Sequence, residues 1–327
     1  MINTLLKIIT GKHIILYDKH RQTMPLVENT FNKRKFRFID VGFIWKFIPF
    51  KTSDKRKHSV MHFILSCIQP KYIISMNWLT QRESLYMVWT AKHPKSKFIV
   101  LQHGAYVGGI VTDKPHKYTK CDIFLTWGSF FSKEFKRNNS LKKVNIIDFG
   151  NTIYNKVKRE NFAYKDKKTN KILLLPTALN KGDLLHFYNL INRLKELDFQ
   201  IVVKEHAKQG IEKDKNGIIK YPSIEGLTKI TGQLYPILQN NDFDFIIADH
   251  STALLDAIFF KNKVLYFDPK NNIKGYTTQY SKYLMNIFLD DYSNKGRNYF
   301  KEAIYIENQE ALFANMVTLG NNNLEII

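Results

Sequence analysis

Short apolar runs alternate along this chain with longer stretches in which apolar residues recur every three or four positions, the pattern of strands followed by covering helices. In the first half, runs at 13–17, 72–75, 98–102, 123–127 and 144–149 predict strands. Helical periodicity falls between them, at 60–69, 82–93 and 130–138. Residues 151–170 are charged and polar, with Lys156, Lys158, Arg159, Lys165, Lys167 and Lys168 but no apolar period, which predicts a linker. A second alternating set follows it. Strands are expected at 172–175, 200–204, 218–221, 245–248 and 264–267. Helices are expected at 181–197, 227–239 and from the Ser251/Thr252 cap to 260. Apolar strands joined by helices point to largely parallel sheets. The expected fold class is α/β: two Rossmann-like domains, 1–150 and 171–307, facing a central cleft. The remaining segment, 308–327, carries an amphipathic helix at 308–319 expected to pack back across both. No internal repeat interrupts this order.

Composition narrows the class. The chain has 327 residues, 44% hydrophobic and 14% aromatic, enough to build buried cores and too much for a disordered protein. Its two cysteines, Cys67 and Cys121, exclude a disulfide scaffold and a Cys-based zinc cluster. No apolar run approaches the ~20 residues of a bilayer span, and the first residues lack a secretory core and cleavage site. The expected location is cytoplasmic. Lys plus Arg number 50 against 29 Asp plus Glu, a net charge of +21. That field favours anionic partners: nucleic acid, an acidic membrane leaflet or phosphorylated small molecules.

In open α/β sheets ligands bind beyond the carboxyl ends of the strands, and three motifs fall there. The strand at 98–102 ends on Gln102-His103-Gly104, followed by Ala105 and by Gly108-Gly109. The glycines let backbone approach a ligand closely. His103 can act as a general base, or it can be a structural histidine bonded to a carbonyl beside a turn. The strand at 200–204 runs out into Lys204-Glu205-His206. Lys204 and His206 can donate to phosphate, or can be solvated charges. The third motif is Asp249-His250-Ser251-Thr252, where a buried strand turns into a helix, with Asp256 five residues after Ser251. Amides at a helix start bind phosphate oxygens, and Asp256 lies near enough to reach a ribose. The alternative is that Ser251 caps the helix and Asp256 lies on the surface.

Taken together, Gln102-His103-Gly104, the Lys-Glu-His strand end and Asp249-His250-Ser251-Thr252 resemble the CDP-glycerol glycerophosphotransferase family. More broadly they resemble GT-B glycosyltransferases that build bacterial surface polymers such as capsule, lipopolysaccharide and teichoic acid. The likeness follows motif order over roughly residues 70–270. Each of the three motifs departs from the family pattern: Ala105 stands where a Thr is usual, Ala207 where a Pro is usual, and His250-Ser251-Thr252 where Tyr-Ser-Ser is usual. Tyr106-Val107-Gly108-Gly109 also departs from the polyol-phosphate sequence, which favours a sugar donor. The Ser251-to-Asp256 interval is similar to the Ser-to-acid spacing of non-hydrolysing UDP-N-acetylglucosamine 2-epimerases.

The resemblance implies an enzyme that transfers a sugar or polyol phosphate from a nucleotide-activated donor of CDP, CMP or UDP type to a glycan or lipid-linked acceptor. It implies no cofactor and no metal. His103 carries over as the general base, in a cleft loop with Gln102, Gly104, Gly108 and Gly109. Lys204, His206, Asp249, His250, Ser251 and Thr252 carry over to the donor's side, with Asp256 on the ribose.

One further segment carries chemistry. Residues 33–51 interleave cations and aromatics, among them Lys33, Arg34, Phe36, Phe38, Phe43, Trp45 and Phe50. Such a segment can stack on single-stranded nucleic acid, press on an anionic membrane carrying a lipid-linked acceptor, or form a buried strand pair with solvated lysines. Nucleic acid ranks last, because no known nucleic-acid-binding pattern accompanies it. Membrane contact would place the protein on the inner face of the plasma membrane. Two other functions compete with the transferase: a nucleotide-sugar epimerase, which needs acidic residues in the first domain, and a non-catalytic basic polymer-binding protein.

Overall fold

The computed structural model of the chain describes residues 12–19, 23–46, 48, 54–76, 81–105, 121–137, 144–154, 157–166, 169–240, 242–269, 277–287 and 296–319. The chain divides into two units, Met1–Val157 with Asn315–Ile327, and Lys158–Ala314.

The described residues of unit one hold strands β1 (His13–Tyr17), β2 (Phe36–Asp40), β3 (Tyr72–Ser75), β4 (Lys97–Leu101), β5 (Ile123–Thr126) and β6 (Asn145–Asp148). Helices α1 (Thr23–Thr30), α2 (Val41–Lys46), α3 (Asp54–Ile68), α4 (Gln81–Lys92) and α5 (Ser129–Arg137) alternate with them. The strands form one parallel sheet in the order β2-β1-β3-β4-β5-β6. Ile15, Ile74, Ile99 and Leu125 are buried in one core on this sheet, each contributing about 1.5–3 kcal/mol of transfer free energy. The strand order reverses between β1 and β3, so this is the sheet's switch point.

The described residues of the segment 33–51, which leave out 47 and 49–51, pack several side chains into the unit's core. Phe36 of edge strand β2 packs edge-on to Phe31 at 5.4 Å and lies 6.0 Å from Tyr72. Val41 and Ile44 are buried, and Trp45 Nε1 donates to Tyr86 Oη at 2.8 Å. A strand followed by a helix therefore stands where a strand pair was one of three readings of the sequence. Phe43 is the exception, facing outward.

Unit two begins with a 3₁₀ turn, Arg159–Asn161, and carries β7 (Lys171–Leu175), α6 (Lys181–Glu196), β8 (Gln200–Val203), β9 (Thr228–Lys229), α7 (Leu234–Asn240) and β10 (Phe245–Ala248). It continues with α8 (Ala253–Phe259), β11 (Val264–Tyr266), α9 (Thr277–Tyr283) and α10 (Arg297–Glu302). Helix α11 (Ile306–Met316) ends beyond the division at Ala314. The sheet is parallel, in the order β11-β10-β7-β8-β9, and reverses between β7 and β10. Helix α6 shows why these elements form. Asn180 caps it, accepting from the amides of Gly182 and Asp183 at 2.9 and 3.0 Å, a cap worth about 1 kcal/mol. Leu184, Phe187, Leu190, Ile191 and Leu194 then fall on one buried stripe.

Three expected elements differ. The apolar run 218–221 is no strand: Ile218 and Ile219 are exposed, and Ile219 makes only an isolated antiparallel bridge to Lys213. The strand that joins the sheet edge is β9. The helix expected at 227–239 is shortened to α7, because Gly226 and Gly232 take φ of +72° and +95° and break the run. The described part of the stretch read as a linker is docked, while residues 155, 156, 167 and 168 lie outside the described residues. Arg159 donates to both Glu310 oxygens at 2.7 and 2.8 Å and lies 4.4 Å over the Phe313 ring, while Tyr164 and Lys261 also bond Glu310. Burial alone would raise the Glu310 carboxyl; the bonds from Arg159, Lys261 and Tyr164 outweigh it and hold it down at about 2.

Candidate functional site

The sequence motifs sit at the carboxyl ends of strands in both sheets. In unit one, β4 ends at Gln102, which is buried and bonded on every side. Its amide donates to Leu125 O at 2.9 Å and its side-chain Nε2 to Gly104 O at 2.8 Å. Its Oε1 accepts from Trp127 N at 2.9 Å, and its carbonyl accepts from Trp127 Nε1 at 3.0 Å. Gln102 thus welds the ends of β4 and β5 and fixes the turn that follows. His103 is exposed on that turn, between buried Gln102 and buried Gly104 and Ala105. Trp127 is the partner that sequence reasoning missed. Its neighbour Gly128 has no room for a Cβ, which would lie 2.7 Å from Met316 O, and Thr318 N donates to Trp127 O at 2.7 Å. Gly108 and Gly109 lie outside the described residues.

The switch point of unit one carries a different group. Ser75 Oγ, at the end of β3, lies 2.7 Å from Asp18 Oδ2 just after β1, and 3.1 Å from Glu83 Oε1 of α4. Two carboxylates therefore meet one hydroxyl there, and Glu83 is buried. The sequence showed no sign of it, because the three residues lie in separate elements.

In unit two the switch point lies between β7 and β10, and Asp249 closes it. This buried carboxylate accepts from Thr177 N at 3.1 and 3.0 Å and from Thr177 Oγ1 at 2.6 Å. Burial raises its pKa; the charge of His250 and the Thr177 bonds oppose that, and Asp268 adds to it. Asp249 was expected on the donor's side as a ligand contact. Its carboxylate instead braces the loop after β7 against the end of β10, because a buried acid beside two unpaired donors is stabilised by bonding them. His250 is exposed and Ser251 and Thr252 half-buried beyond it.

The start of α8 also departs from expectation. The helix spans seven residues, and its first amides are partnered within the turn. Ala253 N bonds Ser251 Oγ at 3.2 Å, Leu254 N bonds Ser251 O at 3.2 Å, and Thr252 O accepts from Leu255 N and Asp256 N at 3.0 and 3.2 Å. A phosphate here would meet the Ser251–Thr252 turn itself rather than a row of open helix amides. Asp256 is buried, not on the surface, and accepts from Tyr235 Oη of α7 at 3.0 Å.

The second motif divides its labour. Glu205 turns inward, accepting from Ile224 N at 2.5 Å and Ser223 Oγ at 3.1 Å and pairing with Lys229 at 3.3 Å. The Lys204 ammonium, half-buried at the end of β8, has no side-chain partner among the described residues. His206 is exposed, and its Nδ1 accepts from Lys208 N at 3.3 Å, which puts the hydrogen of the neutral ring on Nε2. Desolvation and then Lys208 lower its pKa against the smaller pull of Glu212. His206 is therefore a neutral N–H donor, and Lys204 is the cation of the pair.

One loop joins the two motifs of unit two. Residues 176–180, after β7, are held by Asp249 at Thr177 and by Gln209 at Leu179, where Gln209 Oε1 accepts from Leu179 N at 3.0 Å and Nε2 donates to Leu179 O at 3.2 Å. The ends of β8 and β10 are thus each fixed to the loop between them. Neither Thr177 nor Gln209 stood out in the sequence, since both act through partners 72 and 30 residues away. Among the described residues no three His, Cys, Asp or Glu side chains converge as a metal-binding group.

This two-unit architecture matches solved enzymes along almost its whole length. A variant of the wall teichoic acid polymerase TagF superposes with a TM-score of 0.51 at 12% identity, over 95% of this chain and 86% of that one. Staphylococcus aureus MnaA with UDP gives 0.54 at 14% identity, over 95% and 92%. A glycosyltransferase from Rickettsia africae gives 0.54 at 13%, over 94% and 95%. At such identities the likeness is one of fold. No curated protein matches the chain by sequence. The fold is that of the GT-B transferases. The profile of the LIC12162 family transferases matches residues 13–202, more than half of the sequence, and the chain belongs to that family.

Proposed function

We propose that this transferase moves a sugar, or a polyol phosphate, from a nucleotide-activated donor to a hydroxyl of a surface-glycan or lipid-linked acceptor, without a metal ion. The observation that carries the reading is the carboxyl edge of unit two. There the Thr177–Asp249 brace and Gln209 hold Lys204, His206 and the His250–Thr252 turn on one loop system at a switch point. A cation, a neutral N–H donor and two hydroxyls suit a diphosphate. As the donor bond breaks, negative charge grows on the leaving phosphate, and Lys204 with His206 Nε2–H stabilise it. Asp256 takes the ribose, with Tyr235 orienting its carboxylate. His103, on the turn locked by Gln102, removes the proton of the attacking hydroxyl. The family's transferase chemistry supports this reading, as do the UDP bound to MnaA and the polymer made by TagF.

A second assignment of the base rests on one observation: the Asp18–Ser75–Glu83 group occupies unit one's switch point, where His103 does not. A carboxylate base would keep transfer active to lower pH than a histidine base would. The nucleotide is found by thermal shift with CDP, CMP, UDP and GDP, since a ligand bound only by the native state raises the melting temperature. Transfer that persists in excess EDTA supports the metal-free mechanism. Transfer abolished by EDTA and restored by magnesium or manganese contradicts it.

A further inference from the structure

We infer that unit one carries a lipid site: the groove between α3 and α4 seats a hydrocarbon chain of an anionic membrane lipid, with the lipid phosphate against the basic first turns of α3. The groove encloses about 830 Å³ and is lined by Phe63, Leu85 and Val88, with His58, His62 and Ser66 along it. That volume lies within the range of ligand pockets. Its floor is rigid. Trp89 Nε1 donates to Ser66 Oγ at 3.1 Å, joining the two helices, and the Trp89 ring stacks on His93 at 4.1 Å. Desolvation, then Lys92 and His93, lower the pKa of His62, so this imidazole lines the groove uncharged.

Helix α3 has two apolar faces, and only one is used by the core. Met61 and Leu65 are fully buried. On the other side Arg56, Val60, Phe63 and Cys67 fall at helical spacing on one stripe. Phe63 is 70% exposed, Val60 42%, and Val88 of α4 39%. A single exposed apolar residue is ordinary, but several beside an apolar groove mark a binding surface. Charge decides the occupant. Arg56 and Lys57 sit at the end of the stripe, on a chain of net charge +21, so a second copy would bring like charges together. An anionic bilayer offers hydrocarbon to Phe63 and phosphate to Arg56 at once. The site lies on a different segment from residues 33–51, and it stands whether or not the acceptor is lipid-linked.

The test uses the full chain with vesicles of phosphatidylcholine alone or mixed with phosphatidylglycerol. The wild type should co-sediment with the anionic vesicles about tenfold more than with the neutral ones, and high salt should release it. The double variant Phe63→Ser with Val88→Ser should lose about tenfold of that binding at an unchanged melting temperature, and Arg56→Glu should lose severalfold. Leu185→Ser, which removes an equally exposed apolar side chain of unit two, should lose none. Cys67 gives a readout that needs no variant. Cys121 is buried with its thiol pKa pushed up, so a water-soluble maleimide labels Cys67, and anionic vesicles should slow that labelling. Equal binding to both vesicle types, full binding by the Phe63/Val88 variant, or Cys67 labelling unchanged on vesicles that do bind would each overturn the proposal. So would stripe variants that alter self-association and leave vesicle binding intact.

Discussion

The two sheets of this transferase reverse strand order at one point each, and they furnish those points with opposite chemistry. In unit one the crevice beyond β1 and β3 holds Asp18 and Glu83 around a single serine hydroxyl. In unit two, beyond β7 and β10, the buried Asp249 carboxylate is bonded to Thr177, with Asp268 near enough to raise its pKa. What surrounds that brace is a cation, Lys204, with imidazoles and hydroxyls. A carboxylate-lined crevice repels phosphate, and one lined by ammonium and N–H groups attracts it. On the proposed reading, the unit-two crevice serves the donor's phosphates and the unit-one crevice the acceptor's hydroxyl.

The largest effect expected from breaking this division is on turnover. On the proposed reading His103→Ala removes the base, and transfer should fall by ~10²–10⁴-fold while nucleotide affinity barely changes. The pH profile sharpens the point. If the base is His103, activity falls as pH drops through its titration. If it stays flat into the carboxylate range, Asp18 or Glu83 takes the role and Asp18→Asn should be the more damaging variant.

Affinity comes next. Asp256→Ala should weaken nucleotide binding by about tenfold to a hundredfold, the worth of a hydrogen bond to a charged partner. Tyr235→Phe should cost less than Asp256→Ala, since it leaves the carboxylate in place and removes only the hydroxyl at 3.0 Å. Equal losses in calorimetric titration would mean that Asp256 serves Tyr235 rather than a ribose.

A smaller effect tests the brace. Thr177→Val keeps shape but strands part of the buried Asp249 carboxylate, at a cost of about 1–3 kcal/mol in the stability of unit two. The expected reading is a lower melting temperature by calorimetry. An unchanged value would remove Asp249 from its structural role.

The smallest effect concerns acid. The Glu310 carboxyl is held at about 2, below its unfolded value near ~4.3. A depressed folded pKa contributes stability above the unfolded value, and that contribution is lost as pH falls from about 4.5 towards 2. Glu310→Gln should flatten the pH dependence of stability in that window. A wild-type slope in the variant would show that the contacts of Arg159, Tyr164 and Lys261 do not depend on the charge.

The buried strands were the legible part of the fold. The runs 172–175 of β7 and 245–248 of β10 are apolar because both faces of a parallel sheet are covered. The same rule misled at 218–221, where Ile218 and Ile219 lie exposed outside the sheet and Lys220 breaks the apolar run. At the site, strand ends and glycine turns located His103, Lys204, His206 and the Asp249–Thr252 turn. The roles of Asp249 and Gln102 were not legible, because a carboxylate or amide reads alike in sequence whether it meets a ligand or a threonine 72 residues away. Trp127, Thr177, Gln209 and Tyr235 were missed for the same reason: each acts through a partner that only the fold brings near.

Calorimetric titration of UDP, CDP and CMP into the wild type, His103→Ala and Lys204→Ala tests the central claim most directly. The account predicts that one of these nucleotides binds the wild type, binds His103→Ala with nearly the same affinity, and binds Lys204→Ala about tenfold or more weakly, as loss of a charge-assisted contact requires. Full binding by Lys204→Ala together with none by His103→Ala would contradict it, because the donor would then belong to unit one.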